Sequence, residues 1–230
     1  MKIPTVRELM QRYGVSRNTA VKAINILQGE GLVVSRYGSG SYVRDAHPVR
    51  WLGPDRYARS GWANTTVEVH ADSPDSEAAQ QQGGQTQEVS RVEADERIAA
   101  ALGVDPGTLV YERARTMTRD GVPTHTMTSY YRIEDVEGTP IVDDRPGIAG
   151  SVGGCSVLAE RGLAPDEITE ELRARMPTPD EVELFKLPPG EPVVEVHRVT
   201  RTVDGRPVEC AVGVHPASRF GWRFTYKIPD

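Results

Sequence analysis

The sequence predicts an α+β protein of two units, a small helical unit followed by a larger one built around a mostly antiparallel sheet. Three observations lead to this prediction. Residues 1–45 combine helical hydrophobic spacing with a glycine-tipped hairpin pattern, residues 46–230 alternate short helices with paired strands, and a pattern of helix, Pro-Gly turn and hairpin occurs twice in that second part. A chain of 230 residues is long enough for two such units.

The first unit begins with two predicted helices joined by a tight turn. Apolar residues recur with helical spacing from Val6 to Tyr13, and Gly14 can end that helix in a left-handed conformation. Ser16 is suited to cap a second helix, whose apolar stripe runs from Ala20 to Leu27. Two short helices at this spacing are typical of a helix-turn-helix.

Polar residues at the start of the second helix indicate what this unit contacts. Arg17, Asn18 and Thr19 occupy its first turn and Lys22 follows one turn later, so all four would face phosphates and base edges if the helix lay in a major groove. Residues 32–43 then predict a hairpin around Gly38-Ser39-Gly40, which forms a wing. Other small domains with a helical hairpin share some of these features, but their order here favours a DNA-binding winged helix-turn-helix.

Residues 2–43 resemble the DNA-binding domain of GntR-type bacterial transcription regulators. Lys22 stands where many members have arginine, which favours a phosphate contact over bidentate reading of guanine. The resemblance also implies a further helix ahead of the first one, for which residues 1–5 leave no room. We therefore expect a truncated unit that exposes Leu9, Ile24 and Leu27. The predicted DNA contacts are Thr5, Arg7, Arg17, Asn18, Thr19, Lys22, Ser39 and Gly40.

Charge separates the two units. Residues 1–45 hold seven basic and three acidic residues, a net charge of +4, whereas the whole chain carries −6, so the remainder carries −10. Only the first unit therefore has the sign that suits contact with nucleic-acid phosphates. The acidic remainder repels DNA.

Composition excludes several classes of protein. The longest apolar run falls short of the roughly 18 residues that a membrane-spanning helix needs, and no signal peptide is visible, so we expect a cytoplasmic protein without a membrane partner. Cys155 and Cys210 are far apart and form no CxxC pair, and the five histidines lack metal-binding spacing. We expect buried free thiols, no metal and no cofactor.

The second unit, residues 46–230, contains the repeated pattern. Residues 65–70 alternate like a strand, and residues 72–86 are polar and predict a flexible loop inside the unit. A helix from Asp95, a Pro-Gly turn and a hairpin at residues 109–123 form the first copy, and residues 181–209 form the second. Such duplication predicts a pseudo-symmetric sheet.

These motifs resemble the UTRA effector-binding domain of the HutC branch of GntR regulators. The similarity spans roughly residues 88–215 and rests on a Leu-Gly-x-x-x-Gly helix end at 102–107, Arg113-x-Arg115, an Asp-Gly-x-Pro hairpin at 120–123 and Gly-x-Pro-Val-Glu at 205–209. The resemblance implies a chorismate-lyase-like fold, a small-molecule effector and dimerisation through this unit.

The family pattern places the effector over the sheet. Arg113 and Arg115 lie two residues apart on one strand and so share a face, where two guanidinium groups would hold an anionic or polyhydroxylated ligand. The alternative is a solvated arginine pair on an outer face. The predicted effector-binding residues are Arg113, Arg115, Met127, Ser129, Glu209 and His215.

Two of these positions depart from the family pattern. Met127 stands where many members have glutamate, and His215 where tyrosine often closes the site, which disfavours a phosphosugar and favours a more apolar ligand. An effector contact at His215 would make binding pH-sensitive near the unperturbed histidine pKa of about 6.5.

The leading hypothesis is a DNA-binding transcriptional repressor that responds to an effector and binds a palindromic operator as a homodimer. Its partners would be double-stranded DNA, a small molecule and a second copy of the chain. One alternative is a small-molecule-binding protein that has lost DNA binding. A chorismate-lyase-like enzyme is a further alternative, but no catalytic constellation stands out in the sequence, so we expect no enzyme.

Overall fold

The computed structural model describes residues 1–36, 38–44, 49–62, 84–119, 121–143 and 154–228. The predicted unit boundary between residues 45 and 46, the strand at 65–70 and the first part of the loop, residues 72–83, lie outside these ranges. The helices are α1 (Val6–Tyr13), α2 (Arg17–Gly29), α3 (Glu96–Leu102), α4 (Ile133–Val136), α5 (Gly154–Glu160) and α6 (Pro179–Phe185). Short 3-10 turns cover Pro54–Tyr57, Arg59–Gly61 and Pro140–Val142.

The strands within the described ranges form three sheets. They are β1 (Val33–Arg36), β2 (Gly40–Val43), β3 (Arg50–Leu52), β4 (Gln85–Glu93), β5 (Leu109–Arg119), β6 (Val122–Arg132), β7 (Pro165–Arg175), β8 (Val193–Thr202), β9 (Pro207–Pro216) and β10 (Phe220–Trp222). One prediction is wrong in part: the loop expected at residues 72–86 does not extend to its end, because Gln85 and Thr86 already pair with β5 as part of β4.

Local sequence explains the N-terminal helices. Thr5 and Glu8 form a capping box at the start of α1, and Gly14 ends that helix at φ 64°, a left-handed conformation that glycine adopts without steric cost. The Ser16 side chain accepts a hydrogen bond from the Thr19 backbone N–H and caps α2. Strands β1 and β2 pair antiparallel directly afterwards, which gives the predicted helix-turn-helix and wing.

The main sheet has six strands in the order β4-β5-β6-β9-β8-β7, with antiparallel pairing throughout. The order is symmetric about the β6–β9 pair: the two copies of the predicted repeat supply β5–β6 and β8–β9, and the strands that precede the copies, β4 and β7, form the two edges. This arrangement confirms the predicted α+β class and its mostly antiparallel sheet. Strand β3 pairs in parallel with β10, which ties the segment after the wing to the end of the main unit.

Each face of the sheet has its own core. On the outer face, α3 packs through Ile98 and Leu102 against Val110, and α6 packs through Phe185 against Val193 and Val214. On the inner face, Tyr111 and Tyr131 pack against Val136, Val157 and Leu158 of α4 and α5. That inner core covers one end of the sheet. The rest of the inner face bears the polar cluster and the group of rings described below.

Candidate functional site

The start of α2 presents the predicted DNA contacts to solvent. Arg17, Asn18, Thr19 and Lys22 are all exposed. The Thr19 hydroxyl lies 2.9 Å from the Ser16 hydroxyl, so this side chain contributes to the helix cap. The two cations and the amide of Asn18 form an exposed polar face at a helix N-terminus, the geometry that a recognition helix requires.

The predicted contacts on α1 lie beside this face. Arg7 is exposed in the first turn of the helix. The Thr5 hydroxyl donates to the Glu8 carboxylate at 2.8 Å and also accepts from the Glu8 backbone N–H at 3.3 Å. Because the Thr5 hydroxyl serves the capping box, it fixes the start of α1.

The wing tip has a basic neighbour that the sequence analysis did not assign. Ser39 and Gly40 are exposed, and the Ser39 hydroxyl lies 2.6 Å from the Tyr42 hydroxyl. Residues 1–3 run beside β2, and the Nζ of Lys2 lies 5.9 Å from the centre of the Tyr42 ring. A Cβ on Gly40 would lie 2.9 Å from the Cε of Lys2, so glycine permits this approach. Lys2 therefore adds a cation beside the wing.

The core of the DNA-binding unit is small. Ala20 and Val33 are its fully buried apolar residues among those described, at 2% and 4% exposure. Leu27 is exposed, as expected, whereas Leu9 and Ile24 are half-buried. The apolar stripe of α2 is thus only partly covered.

The predicted effector residues lie together on the inner face of the sheet. We call Arg113, Arg115, Ser129, Tyr131, Arg198 and Glu209 the inner polar cluster. Arg113 is 1% exposed and Ser129 has no exposed surface, while Arg115 donates to the Ser129 hydroxyl at 3.1 Å. Arg113 donates to the Gln87 side chain at 3.1 Å. Arg113 is thus enclosed by the protein and Arg115 is partly exposed, so the pair lies on the inner face and not on the solvated outer face of the alternative.

Glu209 is the anionic centre of this cluster. Arg198 donates to both Glu209 carboxylate oxygens, at 2.9 and 3.1 Å, and Tyr131 donates to one of them at 2.8 Å. Burial raises the pKa of Glu209, but the charge of Arg198 and the Tyr131 hydrogen bond outweigh it and hold the pKa at about 2. Glu209 is therefore ionised at neutral pH, with Arg198 as its counterion.

Electrostatics within the cluster favour an anion near the arginine pair. Burial lowers the pKa of Arg113, and the neighbouring charge of Arg115 lowers it further. Among the described residues, three guanidinium groups of the cluster face one carboxylate. The Nε of Arg115 and that of Arg198 are buried without a hydrogen-bond partner in the described part of the chain.

Several residues around the cluster were missed from the sequence. Arg198 donates to the Tyr57 hydroxyl at 3.1 Å, and Tyr57 in turn donates to Glu170 of β7 at 2.5 Å. Arg198 shares a face with Glu209 through the register of β8 and β9. The alternation of residues along β8 could have shown which face of the sheet Arg198 occupies. Its pairing with Glu209, however, depends on the register between β8 and β9, which the sequence does not display.

Met127 and His215 lie on the same face, beyond the arginine pair. A Cβ on Gly213 would lie 2.9 Å from the Met127 Cε and 2.8 Å from the His215 Cε1, so both side chains crowd over this glycine. His215 also stacks on His125 with ring centres 4.9 Å apart and meets Phe220 edge-on at the same separation. These rings form an apolar end to the inner face.

One expectation about His215 is wrong. His215 is 3% exposed, and burial together with nearby arginine charge lowers its pKa to about 3. An imidazole in this environment stays neutral at physiological pH, so it gives no pH response near 6.5.

The two parts define a class of protein. An exposed basic helix with a wing binds DNA, and a sheet with an enclosed, charged inner face suits a small ligand. None of the described helices combines the length and apolar content that a bilayer crossing requires.

Comparison with known proteins identifies the family. The model for bacterial regulatory proteins of the gntR family matches residues 1–43, and the UTRA domain model matches residues 78–221. The chain belongs to the GntR family, in the group with a UTRA domain, and it is a DNA-binding transcriptional regulator with an effector-binding domain.

Relatives and solved structures agree with this assignment. An HTH-type transcriptional regulator from Streptomyces coelicolor is 46% identical over 230 residues, which is 100% of this chain and 86% of that protein. A crystal structure of a GntR-family transcriptional regulator is 27% identical, with a TM-score of 0.67 over 99% of this chain and 89% of the other. PhnF from Mycobacterium smegmatis, at 22% identity, shares the fold with a TM-score of 0.60 over 99% and 92% of the two chains. The matched proteins are regulators, which points to a non-enzyme.

Proposed function

We propose that this regulator is a cytoplasmic, homodimeric repressor that releases a palindromic operator when a small anionic effector binds at the inner polar cluster. The observation that supports the effector site is the pair of buried Arg113 and partly exposed Arg115, which lies on the same sheet face as the Arg198–Glu209 ion pair. An anion between the two arginines would offset their mutual repulsion.

The composition of the inner face suggests the shape of the effector. One end presents the Arg115 guanidinium beside the Ser129 hydroxyl that accepts from it, and the other end presents Met127 and the rings around His215. A ligand with one anionic group and an apolar body would satisfy both ends. A compact phosphosugar would leave the apolar end unfilled.

The DNA arm of the proposal rests on the exposed residues of α1, α2 and the wing. A single recognition helix reads few base pairs, and a two-fold pair of helices reads two half-sites about one helical turn apart. We propose that the effector domains form the dimer that sets this spacing. Light scattering on the full chain at tens of micromolar checks this point, and a monomer would refute it.

The effector test begins with thermal shift measurements on a panel of carboxylic acids, phosphorylated sugars and uncharged sugars. Because a ligand stabilises the state that it binds, a true effector raises the unfolding midpoint, and the midpoint keeps rising with the logarithm of ligand concentration above the Kd. We expect carboxylic acids with an apolar body to raise the unfolding midpoint most. Removal of the Arg113 or Arg115 guanidinium should then lower affinity for the best acid by about 2 to 5 kcal/mol.

A matched control distinguishes the loss of a cation at the effector site from the loss of a positive charge elsewhere on the domain. Arg173 is an exposed arginine on β7, and its replacement by alanine should leave ligand affinity unchanged. The operator arm uses DNA that the protein selects from a random library, followed by gel shifts with and without the best acid. If the acid does not weaken the affinity of the protein for this DNA, effector-driven release is refuted. If the protein selects no DNA from the library, the alternative of a small-molecule-binding protein that has lost DNA binding is favoured.

A further inference from the structure

Arg44 joins the DNA-binding unit to the effector domain. Its backbone belongs to the DNA-binding unit, since it directly follows β2 and its N–H donates to the Leu32 carbonyl at 2.9 Å. Its side chain points the other way, where it donates to the Ser218 hydroxyl at 2.6 Å and forms an ion pair with Glu191. One side chain thus connects the wing to two residues of the effector domain.

Glu191 is prepared for this ion pair. Its side chain is only 2% exposed, and Ser218 directs both its hydroxyl and its backbone N–H, the latter at 3.4 Å, towards the same carboxylate oxygen. A buried carboxylate needs a counterion and hydrogen bonds, and Arg44 supplies the counterion. We refer to Arg44, Glu191 and Ser218 as the interdomain contact.

A second close approach lies beside the interdomain contact. Gly190 has φ 80°, and a Cβ on it would lie 2.9 Å from the carbonyl oxygen of Gly29, the last residue of α2. Backbone therefore meets backbone here, and a side chain at position 190 would push the end of α2 away. The C-terminal end of the recognition helix rests directly on the turn that holds Glu191.

The interdomain contact lies at the end of the strand that bears the effector residues. Strand β9 runs from Pro207 to Pro216 and contains Glu209 and His215, and Ser218 follows two residues after its end. The Ala217 N–H donates to the Pro192 carbonyl at 3.1 Å, which ties this end of β9 to the residue after Glu191. A displacement of β9 would move both effector-domain partners of Arg44.

We propose that Arg44 and Glu191 are positioning residues for DNA recognition, whose ion pair fixes the orientation of α2 relative to the effector domain. The inference rests on the DNA-binding function and on the proposed homodimer, and not on the identity of the effector. With the ion pair intact, the dimer presents its two recognition helices at one spacing. With the ion pair broken, the orientation of each DNA-binding unit relative to its effector domain is less restricted. The preference of the dimer for one half-site spacing then weakens.

The first experiment measures orientation without DNA or effector. Spin labels at Asn25 of α2 and Glu171 of β7, both exposed, report the distance between the two units. The labelled chains carry Cys155→Ser and Cys210→Ser and are diluted with unlabelled protein. Glu191→Gln should broaden the distance distribution by about twofold or more, because its neutral amide no longer holds Arg44. An unchanged distribution overturns the proposal whatever the outcome for the effector site.

A matched control distinguishes positioning from general stability. Asp135 is another buried carboxylate, 3% exposed on its side chain and paired with Arg206 at 2.6 Å inside the effector domain. Asp135→Asn removes a comparable buried charge without touching the interdomain contact, so it should leave the distance distribution narrow. Equal broadening in Asp135→Asn would overturn the positioning role.

The second experiment uses full-length protein and selected operator DNA in which the half-site spacing is changed by one base pair. The wild-type protein should lose about tenfold or more in affinity, because the shift rotates one half-site relative to the other. Arg44→Met and Glu191→Gln should each reduce this loss to about threefold or less. The double variant, which leaves neither charge buried alone, should show the same reduced loss. The proposal would be overturned if the effects of the two single variants on spacing selectivity added up in the double variant, or if the double variant kept the full spacing selectivity of the wild type.

Discussion

Replacement of Glu209 by glutamine tests the electrostatic account of the inner polar cluster. The carboxylate is buried, and its pKa lies at about 2 instead of the ordinary 4.5. A pKa lowered by that amount corresponds to about 3 kcal/mol of folding free energy at neutral pH. Glu209→Gln also leaves Arg198 without its counterion, so we expect the variant to lose about 3 kcal/mol at pH 7.

The pH dependence of this loss has a definite sign. Because the folded-state pKa is lowered, the contribution of Glu209 is complete above the unfolded-state pKa of 4.5 and is lost as pH falls towards about 2. The difference in unfolding free energy between wild type and Glu209→Gln should therefore stay constant from about pH 7 to 5 and shrink below that. The other carboxylates titrate equally in both proteins and cancel in the difference.

Urea denaturation of the effector domain, followed by near-ultraviolet circular dichroism at several pH values, measures the effect. Glu137→Gln is the control, since Glu137 pairs with Arg91 at 2.7 Å but both side chains are about half exposed. That variant should lose less than about 1 kcal/mol. A loss of similar size in both variants, or a Glu209 difference that does not depend on pH, would refute the reasoning.

Three further predictions concern other parts of the molecule. Leu102→Ala should lower the free energy of unfolding by about 2 to 5 kcal/mol in urea, because Leu102 has no exposed surface; a loss below about 1 kcal/mol would argue against the outer core. Arg17→Ala, measured by fluorescence anisotropy, should cost about 1 to 3 kcal/mol of DNA affinity, or should lessen by about 1 the slope of the logarithm of the binding constant against the logarithm of salt concentration. Arg173→Ala is the control, and equal DNA binding by the two variants would exclude the recognition role. The NMR chemical shifts of the His215 ring nitrogens should remain those of neutral imidazole from pH 8 to about 4. Because this histidine is protonated below about pH 6.5 only in the unfolded state, the free energy of unfolding should fall below that pH. A titration near 6.5 in the folded protein would contradict its burial.

Local chemistry made much of the fold predictable. Ser16 and Gly14 bound the two N-terminal helices because capping and left-handed turns depend on residues only a few positions apart. Asp95 caps α3 for the same reason. The face shared by Arg113 and Arg115 followed from strand alternation alone.

The missed features all depend on distant pairing or on burial. Arg198 meets Glu209 only through the register of two strands. Arg44 meets Glu191 across 147 positions of sequence, and no local pattern marks either residue as a partner. The pKa of His215 was misjudged because desolvation depends on the surrounding rings and not on its neighbours in sequence. The effector and DNA contacts themselves stay predictions.

The order of the strands along the chain has a consequence for protein synthesis. The wing strands β1 and β2 have both been made by residue 43, whereas the central β6–β9 pair needs residues 207–216 and β3 must wait for β10 at residues 220–222. Domains fold as units from the N-terminus while long-range pairings form late. A nascent chain on the ribosome therefore displays its basic DNA-reading surface before Glu191 and Ser218 exist, so newly made regulator can contact nucleic acid before its effector domain is able to orient it.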